Sequence, residues 1–187
     1  MENDNRERLL GILRDAVIRK PFKLSSGRVS DYYIDLRMIT LDPEGSALIA
    51  ELIVAEIDKI KEKFNSNIDA ICGMTLGADP ICGSVAALSY IRKKPVRTFI
   101  IRKEPKAHGT MKQIEGPAKS EDRVVIVDDV ATTGGSILKS AQVVRSEGMD
   151  VVCALVVVDR AEGASEMLEK EGIKLRSLFT RDDLLGG

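Results

Sequence analysis

Two adjacent carboxylates, Asp128 and Asp129, end the apolar run Val124-Val125-Ile126-Val127, and Val130-Ala131-Thr132-Thr133-Gly134-Gly135-Ser136 follows them. Four β-branched residues in a row suit a half-wet surface poorly and predict a central parallel strand covered on both faces, here residues 123–127. Small and hydroxyl residues from Thr132 to Ser136, ahead of a helical pattern near Ile137, predict a tight loop feeding a helix N-terminus. Open α/β sheets bind ligands at this place, the carboxyl end of a strand. Backbone N–H groups, two threonine hydroxyls and the positive end of a helix dipole suit a phosphate. The carboxylates would repel that phosphate and suit hydroxyls or a divalent metal instead. A ligand with a phosphate at one end, vicinal hydroxyls in the middle and a metal nearby is a phosphorylated sugar.

A second set of reactive residues lies just upstream. Segment 102–122 has no apolar period and holds Pro105, Gly109, Gly116 and Pro117, with Arg102, Lys103, Lys106, His108, Lys112 and Lys119 as positive donors. A structureless loop of that length in a compact domain is either functional or disordered. Its cations, and its place between two strands whose carboxyl ends share a face, favour a mobile lid that orders over an anionic ligand and excludes water.

The elements that position these groups follow from apolar spacing. Helical periodicity covers residues 3–19, 42–64, 80–90, 136–146 and 162–171, with Asp42 as an N-cap and Pro43 in the first helical position. Residues 32–36, 68–72, 96–101, 123–127, 151–158 and 174–178 read as strands. Alternating strands and helices predict an α/β fold: a mostly parallel sheet flanked by helices, joined by right-handed crossovers. With 187 residues the chain is read as one domain, large enough for a substantial core. Residues 1–40 form an N-terminal hood on it.

Other chemistries are excluded on composition and motif. The net charge of -1 gives no electrostatic case for nucleic acid. No apolar run approaches the ~20 residues that span a bilayer, and the polar N-terminus does not read as a secretory signal. Cys72, Cys82 and Cys153 form no CxxC pair and are expected as buried free thiols, which with a single histidine argues against a zinc site. The expected location is cytoplasmic. There is no GxxxxGK[ST], no GxGxxG after a strand and no GxSxG.

Residues 124–136 closely resemble the phosphoribosyl-diphosphate (PRPP) motif of type I phosphoribosyltransferases. Arg102-Lys103-Glu104-Pro105-Lys106-Ala107-His108-Gly109 looks like the RKxxKxHG catalytic loop of orotate phosphoribosyltransferases. Phe22-x-Leu24-x-Ser26-Gly27-Arg28, with Ser30 and Tyr32-Tyr33, resembles that family's N-terminal substrate segment, and Asp159-Arg160 followed by Glu162-Gly163 adds a fourth match.

The resemblance implies the type I phosphoribosyltransferase fold and transfer of 5-phosphoribosyl from PRPP to orotate, giving orotidine 5′-monophosphate (OMP) and diphosphate. It implies that Asp128 and Asp129 hold the ribose hydroxyls, while the backbone of residues 131–136 cradles the 5-phosphate and Val130 also contacts PRPP. Thr75, Leu76, Gly77 and Ala78 fall where the family contacts diphosphate through backbone N–H groups. Arg102, Lys103, Lys106 and His108 would close on the leaving diphosphate, Lys106 carrying the largest share. His108 is either a proton donor to diphosphate or a hydrogen-bond donor of the lid. Arg160 suits the orotate carboxylate as a bidentate clamp, joined by Thr132, Ser26, Gly27 and Arg28. Mg²⁺ is expected as cofactor, held mainly by PRPP, and a homodimer in which the loop reaches the neighbouring site is implied.

Two positions depart from the family pattern. Ser25 stands where many members have lysine, and Gly77 stands where some carry lysine in the diphosphate loop. Two other readings stay open at this point: a purine-base phosphoribosyltransferase, and a non-catalytic PRPP-sensing regulator of the same fold.

Overall fold

A computed structural model describes residues 2–20, 22–23, 29–30, 32–65, 67–105 and 113–186. In chain order the elements are α1 (Glu2–Asp15), β1 (Phe22–Lys23), β2 (Val29–Ser30), α2 (Arg37–Thr40), α3 (Pro43–Phe64), β3 (Ala70–Met74), α4 (Ala78–Ile91) and β4 (Arg97–Ile101). There follow β5 (Ile114–Glu115), β6 (Arg123–Ala131), α5 (Gly135–Ser146), β7 (Asp150–Asp159), α6 (Ala164–Lys170), β8 (Leu175–Thr180) and α7 (Arg181–Leu185). The main sheet has the order β5-β4-β3-β6-β7-β8, parallel except for β5, which runs antiparallel to β4. β1 and β2 make a separate antiparallel pair.

The expected architecture holds, with β6 in the interior of the sheet. Its residues alternate between two buried clusters, as a strand covered on both faces requires. Val125 and Val127 join Leu9, Leu13, Ile53, Ile57 and Ile81 beneath α1, α3 and α4. Val124 and Ile126 join Phe99, Ile137, Ala141, Val144 and Leu168 beneath α5 and α6. The N-cap expected for α3 is in place: the Asp42 carboxylate accepts the N–H groups of Glu44 and Gly45, each at 3.0 Å. All three thiols are buried and free.

The structure corrects four sequence readings. Residues 32–36 are not a ladder strand. Tyr32, Ile34 and Leu36 are buried, so the alternation is real, but it records an extended segment with one bridge, Ile18↔Tyr33. The first helix stops at Asp15, ahead of the extended turn that makes this bridge. β6 does not end at Val127 but continues through both carboxylates, with Asp128 opposite Val156 and Ala131 opposite Asp159. Segment 102–122 is not structureless: Ile114 and Glu115 pair with Ile101 and Ile100, so the loop leaves and returns as a hairpin. Its return is fixed by Asp122, which is buried, receives Arg97 at 2.6 and 2.8 Å and accepts the Lys119 N–H at 3.0 Å. The short helices α2 and α7 and the β1–β2 pair were not foreseen. The capping box of α7 joins Thr180 and Asp183.

Candidate active site

β3 and β6 pair from Ala70↔Val124 to Cys72↔Ile126 and then part. β3 leads through α4 to β4 on one side, and β6 leads through α5 to β7 on the other, with α4 and α5 on opposite faces. The crevice between their carboxyl ends is therefore a topological switch point, the place where open α/β sheets bind ligands. A cleft of about 480 Å³ opens there, lined by Arg37, Met74, Thr75, Leu76, Gly77, Lys103, Asp128, Asp129, Val130 and Ser136. A neighbouring cavity shares Thr75 and Lys103 and adds Arg102, Glu104, Pro105 and Glu115.

Both carboxylates line the cleft, where β6 runs on past its pairing with β3. Asp128 is buried, accepts the Ser136 hydroxyl at 2.7 Å and accepts the Asp129 N–H at 3.0 Å. Burial, with the neighbouring Asp129 charge, pushes its carboxyl up to about 7. Asp129 is also raised by burial, against the Val130 N–H it accepts at 2.8 Å and the charge of Arg37. Two carboxylates facing one cleft with raised proton affinity describe a site built for hydroxyl donors or a cation.

The loops on either side share one device. Gly77 begins α4 and Gly134 begins α5, and neither helix has a side-chain cap. Gly134 has φ +81°, a backbone that glycine adopts without strain. At Gly77 a Cβ would stand 2.4 Å from Asp128 Oδ1 and 2.7 Å from Asp129 Oδ1, so the loop approaches both carboxylates only because that side chain is missing. Thr75 closes the loop by donating its hydroxyl to Asp79 at 2.7 Å. Ala78 is buried in the core and has only backbone to offer.

The remaining expected residues fall in three places. Thr132, Thr133, Gly134 and Gly135 stand along the same rim just past β6, with Ala131 buried beneath them. Arg160 follows β7 and is tied to that rim by its N–H, which Ala131 O accepts at 3.0 Å. Its guanidinium is 5% exposed, pairs with Glu162 at 2.9 Å and lies 4.6 Å over the Tyr32 ring. Arg102 pairs with Glu115 at 3.5 Å, across the base of the hairpin. Ser26, Gly27, Arg28, Lys106 and His108 lie outside the described residues.

Sequence reasoning missed Arg37. It enters the cleft from the start of α2, far from β6 in the chain, and its signal is slight: an acid and a base two residues apart, Asp35 and Arg37, after an extended segment. Among the described residues no group of three or more histidine, cysteine or acidic side chains is placed to hold a metal, and no helix is long and apolar enough to cross a membrane.

Comparison with known proteins agrees with this geometry. The family model of the phosphoribosyl transferase domain matches residues 38–178. An orotate phosphoribosyltransferase of Aquifex aeolicus is 48% identical over 164 residues, 88% of this chain and 86% of the relative. The crystal structure of Mycobacterium tuberculosis orotate phosphoribosyltransferase in complex with Fe(III) dicitrate superposes with a TM-score of 0.80 at 38% identity, over 96% of this chain and 98% of that one. A complex of the M. tuberculosis enzyme with PRPP gives 0.75 at 31% identity, over 97% and 92%. With the paired acids at the switch point and glycine-started helices on both sides, the chain belongs to the phosphoribosyl transferase domain family and, within it, to the orotate phosphoribosyltransferases.

Proposed function

We propose that this protein transfers the 5-phosphoribosyl group of PRPP to orotate, releasing diphosphate and forming OMP in the route to pyrimidine nucleotides. The observation that carries the reading is the pair Asp128–Asp129 at the switch point, flanked by two helix starts without side-chain caps. Such termini leave backbone N–H groups for anions, and the acids between them serve hydroxyls. The order phosphate, ribose diol, diphosphate then maps onto the rim at 130–136, onto Asp128 and Asp129, and onto residues 75–78 with Arg102 and Lys103. Lys106 and His108 complete the diphosphate end in this assignment. Arg160, Thr132, Ser26, Gly27 and Arg28 take orotate.

The bond between ribose C1 and diphosphate breaks while a ring nitrogen of orotate, already anionic, bonds to C1. Little general-base help is needed. Positive charge develops on the ribose and negative charge on the departing oxygen. The acids beneath the ribose stabilise the first, and fixed cations and N–H groups at the diphosphate end stabilise the second, a preorganised electrostatic effect. Arg160 is positioned by Glu162 and Tyr32, so its orientation is set before orotate arrives.

Mg²⁺ fits this donor set as a ligand-borne ion. Asp128 and Asp129 would offer it carboxylate oxygens, with PRPP as its main holder. Bound there, Mg²⁺ would neutralise charge on the diphosphate. A homodimer is supported by large apolar side chains left exposed on the elements around the cleft, Met38 at 74%, Leu41 at 69% and Leu76 at 63%. Three buried free thiols suit a reducing cytoplasm.

The test is direct. Purified protein with PRPP and Mg²⁺ is expected to consume orotate, followed by its absorbance, and to leave adenine, hypoxanthine, uracil and xanthine untouched. Intact PRPP binding without orotate turnover would replace the enzyme with a PRPP-sensing regulator.

A further inference from the structure

The cleft at the switch point has an unusual charge balance. Its described lining carries two carboxylates, Asp128 and Asp129, and two cations, Lys103 and Arg37. Loop 75–78, which approaches both acids, brings no cation. Position 77 has no room for a side chain in this arrangement, since even a Cβ would stand within 2.7 Å of both carboxylates. A cationic side chain for an anionic group entering beside this loop must therefore come from another element.

Arg37 is built for that. Asp35 receives its Nε at 2.8 Å and its Nη2 at 2.9 Å, and the same carboxylate accepts the Arg37 backbone N–H at 3.1 Å. That three-point hold fixes the guanidinium plane while using two of the five side-chain donors. The side chain is 53% exposed and lines the cleft, and its charge reaches Asp129. A held, half-exposed guanidinium with donors to spare is suited to bidentate recognition of a phosphoryl group.

We propose that Arg37, oriented by Asp35, binds the diphosphate end of the phosphoribosyl donor at the rim of this cleft. The proposal rests on the reading that PRPP is the donor. It gives Arg37 a binding role, and Asp35 a positioning role, that the chain's motifs do not announce.

The experiment measures binding of PRPP, inorganic diphosphate and ribose 5-phosphate, with Mg²⁺, to the wild type and to Arg37→Gln, Arg37→Lys and Asp35→Asn. A charge-assisted contact predicts that Arg37→Gln weakens PRPP and diphosphate about ten- to a hundredfold and leaves ribose 5-phosphate within about twofold. Arg37→Lys is expected to recover part of the loss, and Asp35→Asn to show a smaller loss of the same pattern. If Arg37→Gln binds diphosphate like the wild type, or weakens ribose 5-phosphate equally, the assignment is wrong and Arg37 only starts α2. If the wild type binds neither PRPP nor diphosphate, the donor reading itself falls, and this proposal with it.

Discussion

The helix starts from α3 to α7 fall into two groups. α3 and α7 are closed by their own side chains: Asp42 accepts two N–H groups, and Thr180 and Asp183 form a reciprocal box. α4, α5 and α6, which follow the parallel strands β3, β6 and β7, start at Gly77, Gly134 and Gly163 without any side-chain cap. α3 precedes the sheet and α7 follows its edge strand β8, whereas the second group follows the interior strands at the switch point and the next strand, β7. A capping side chain satisfies backbone donors and contributes about 1 kcal/mol. Omitting it three times in the second group gives up that stability and keeps donors and positive dipole ends available to an anionic ligand. The difference separates residues kept for folding from residues kept for binding.

The sharpest way to break this comparison is to add a side chain where the rim has none. Gly77→Ala places a Cβ against both carboxylates, at distances real contacts do not tolerate. Asp128 is held by Ser136 and the Asp129 N–H, so it yields poorly. Turnover is expected to fall about a hundredfold, the scale of losing one preorganised contact, while thermal unfolding stays within a few degrees. Steady-state kinetics beside a melting curve checks both halves. Unchanged kcat/KM for PRPP would show that the approach of this loop to the acids is incidental.

Gly134→Ala tests the other glycine-started helix with a smaller kinetic effect. The φ of +81° costs a non-glycine residue about 1–2 kcal/mol, and Leu168 and Met167 crowd the new methyl at 3.2 Å. KM for PRPP is expected to rise about tenfold with kcat less affected, together with a lower melting temperature. Loss of stability with no change in KM would place the loop in the scaffold group.

How much of this was legible in the sequence follows from which forces are local. The run 124–127 announced an interior strand because β-branched residues in succession need two covered faces, and Asp42-Pro43 announced α3 because a cap acts within one turn. The end of β6 was misread because two aspartates look like a stop. In the sheet β7 runs alongside them and Ser136 holds Asp128, which local patterning cannot register. The hairpin at β5 was hidden for the same reason, since two residues pairing with Ile100 and Ile101 leave no period. Asp128 and Asp129 were found as chemistry because their types stood out against the apolar run. Arg37 was not, because only the fold carries α2 to the carboxyl ends of β3 and β6.

The buried acids also make the unliganded protein pH-dependent. Asp128 titrates near 7 in the folded chain against about 3.9 unfolded, so between these values the native state holds the extra proton. Stability from this group is then full below about pH 4 and is lost progressively between there and about pH 7. Asp129 is shifted in the same direction, whereas Asp35, Glu56 and Asp183 are lowered by their partners and lose stability only in acid. Asp128→Asn removes the charge and keeps an acceptor for Ser136. Its melting temperature should match the wild type below about pH 4, exceed it progressively between about pH 4 and 7, and level off above that. A gap that stays constant over that range would mean that Asp128 ionises freely in the fold.

The smallest effect belongs to the scaffold group and completes the contrast. Asp42→Ala removes the acceptor of two N–H groups at the start of α3, a helix whose Ile49, Ile53, Ile57 and Ile60 are all but fully buried. The expected loss is about 1 kcal/mol, read from denaturant unfolding. Because those N–H groups face no part of the cleft, kcat and KM for both substrates should stay at wild-type values. Stability and catalysis are thus expected to move separately at the two kinds of helix start: Asp42→Ala shifts only the first, Gly77→Ala mainly the second. A kinetic defect in Asp42→Ala would mean that the capped helices also transmit to the site and would dissolve the distinction.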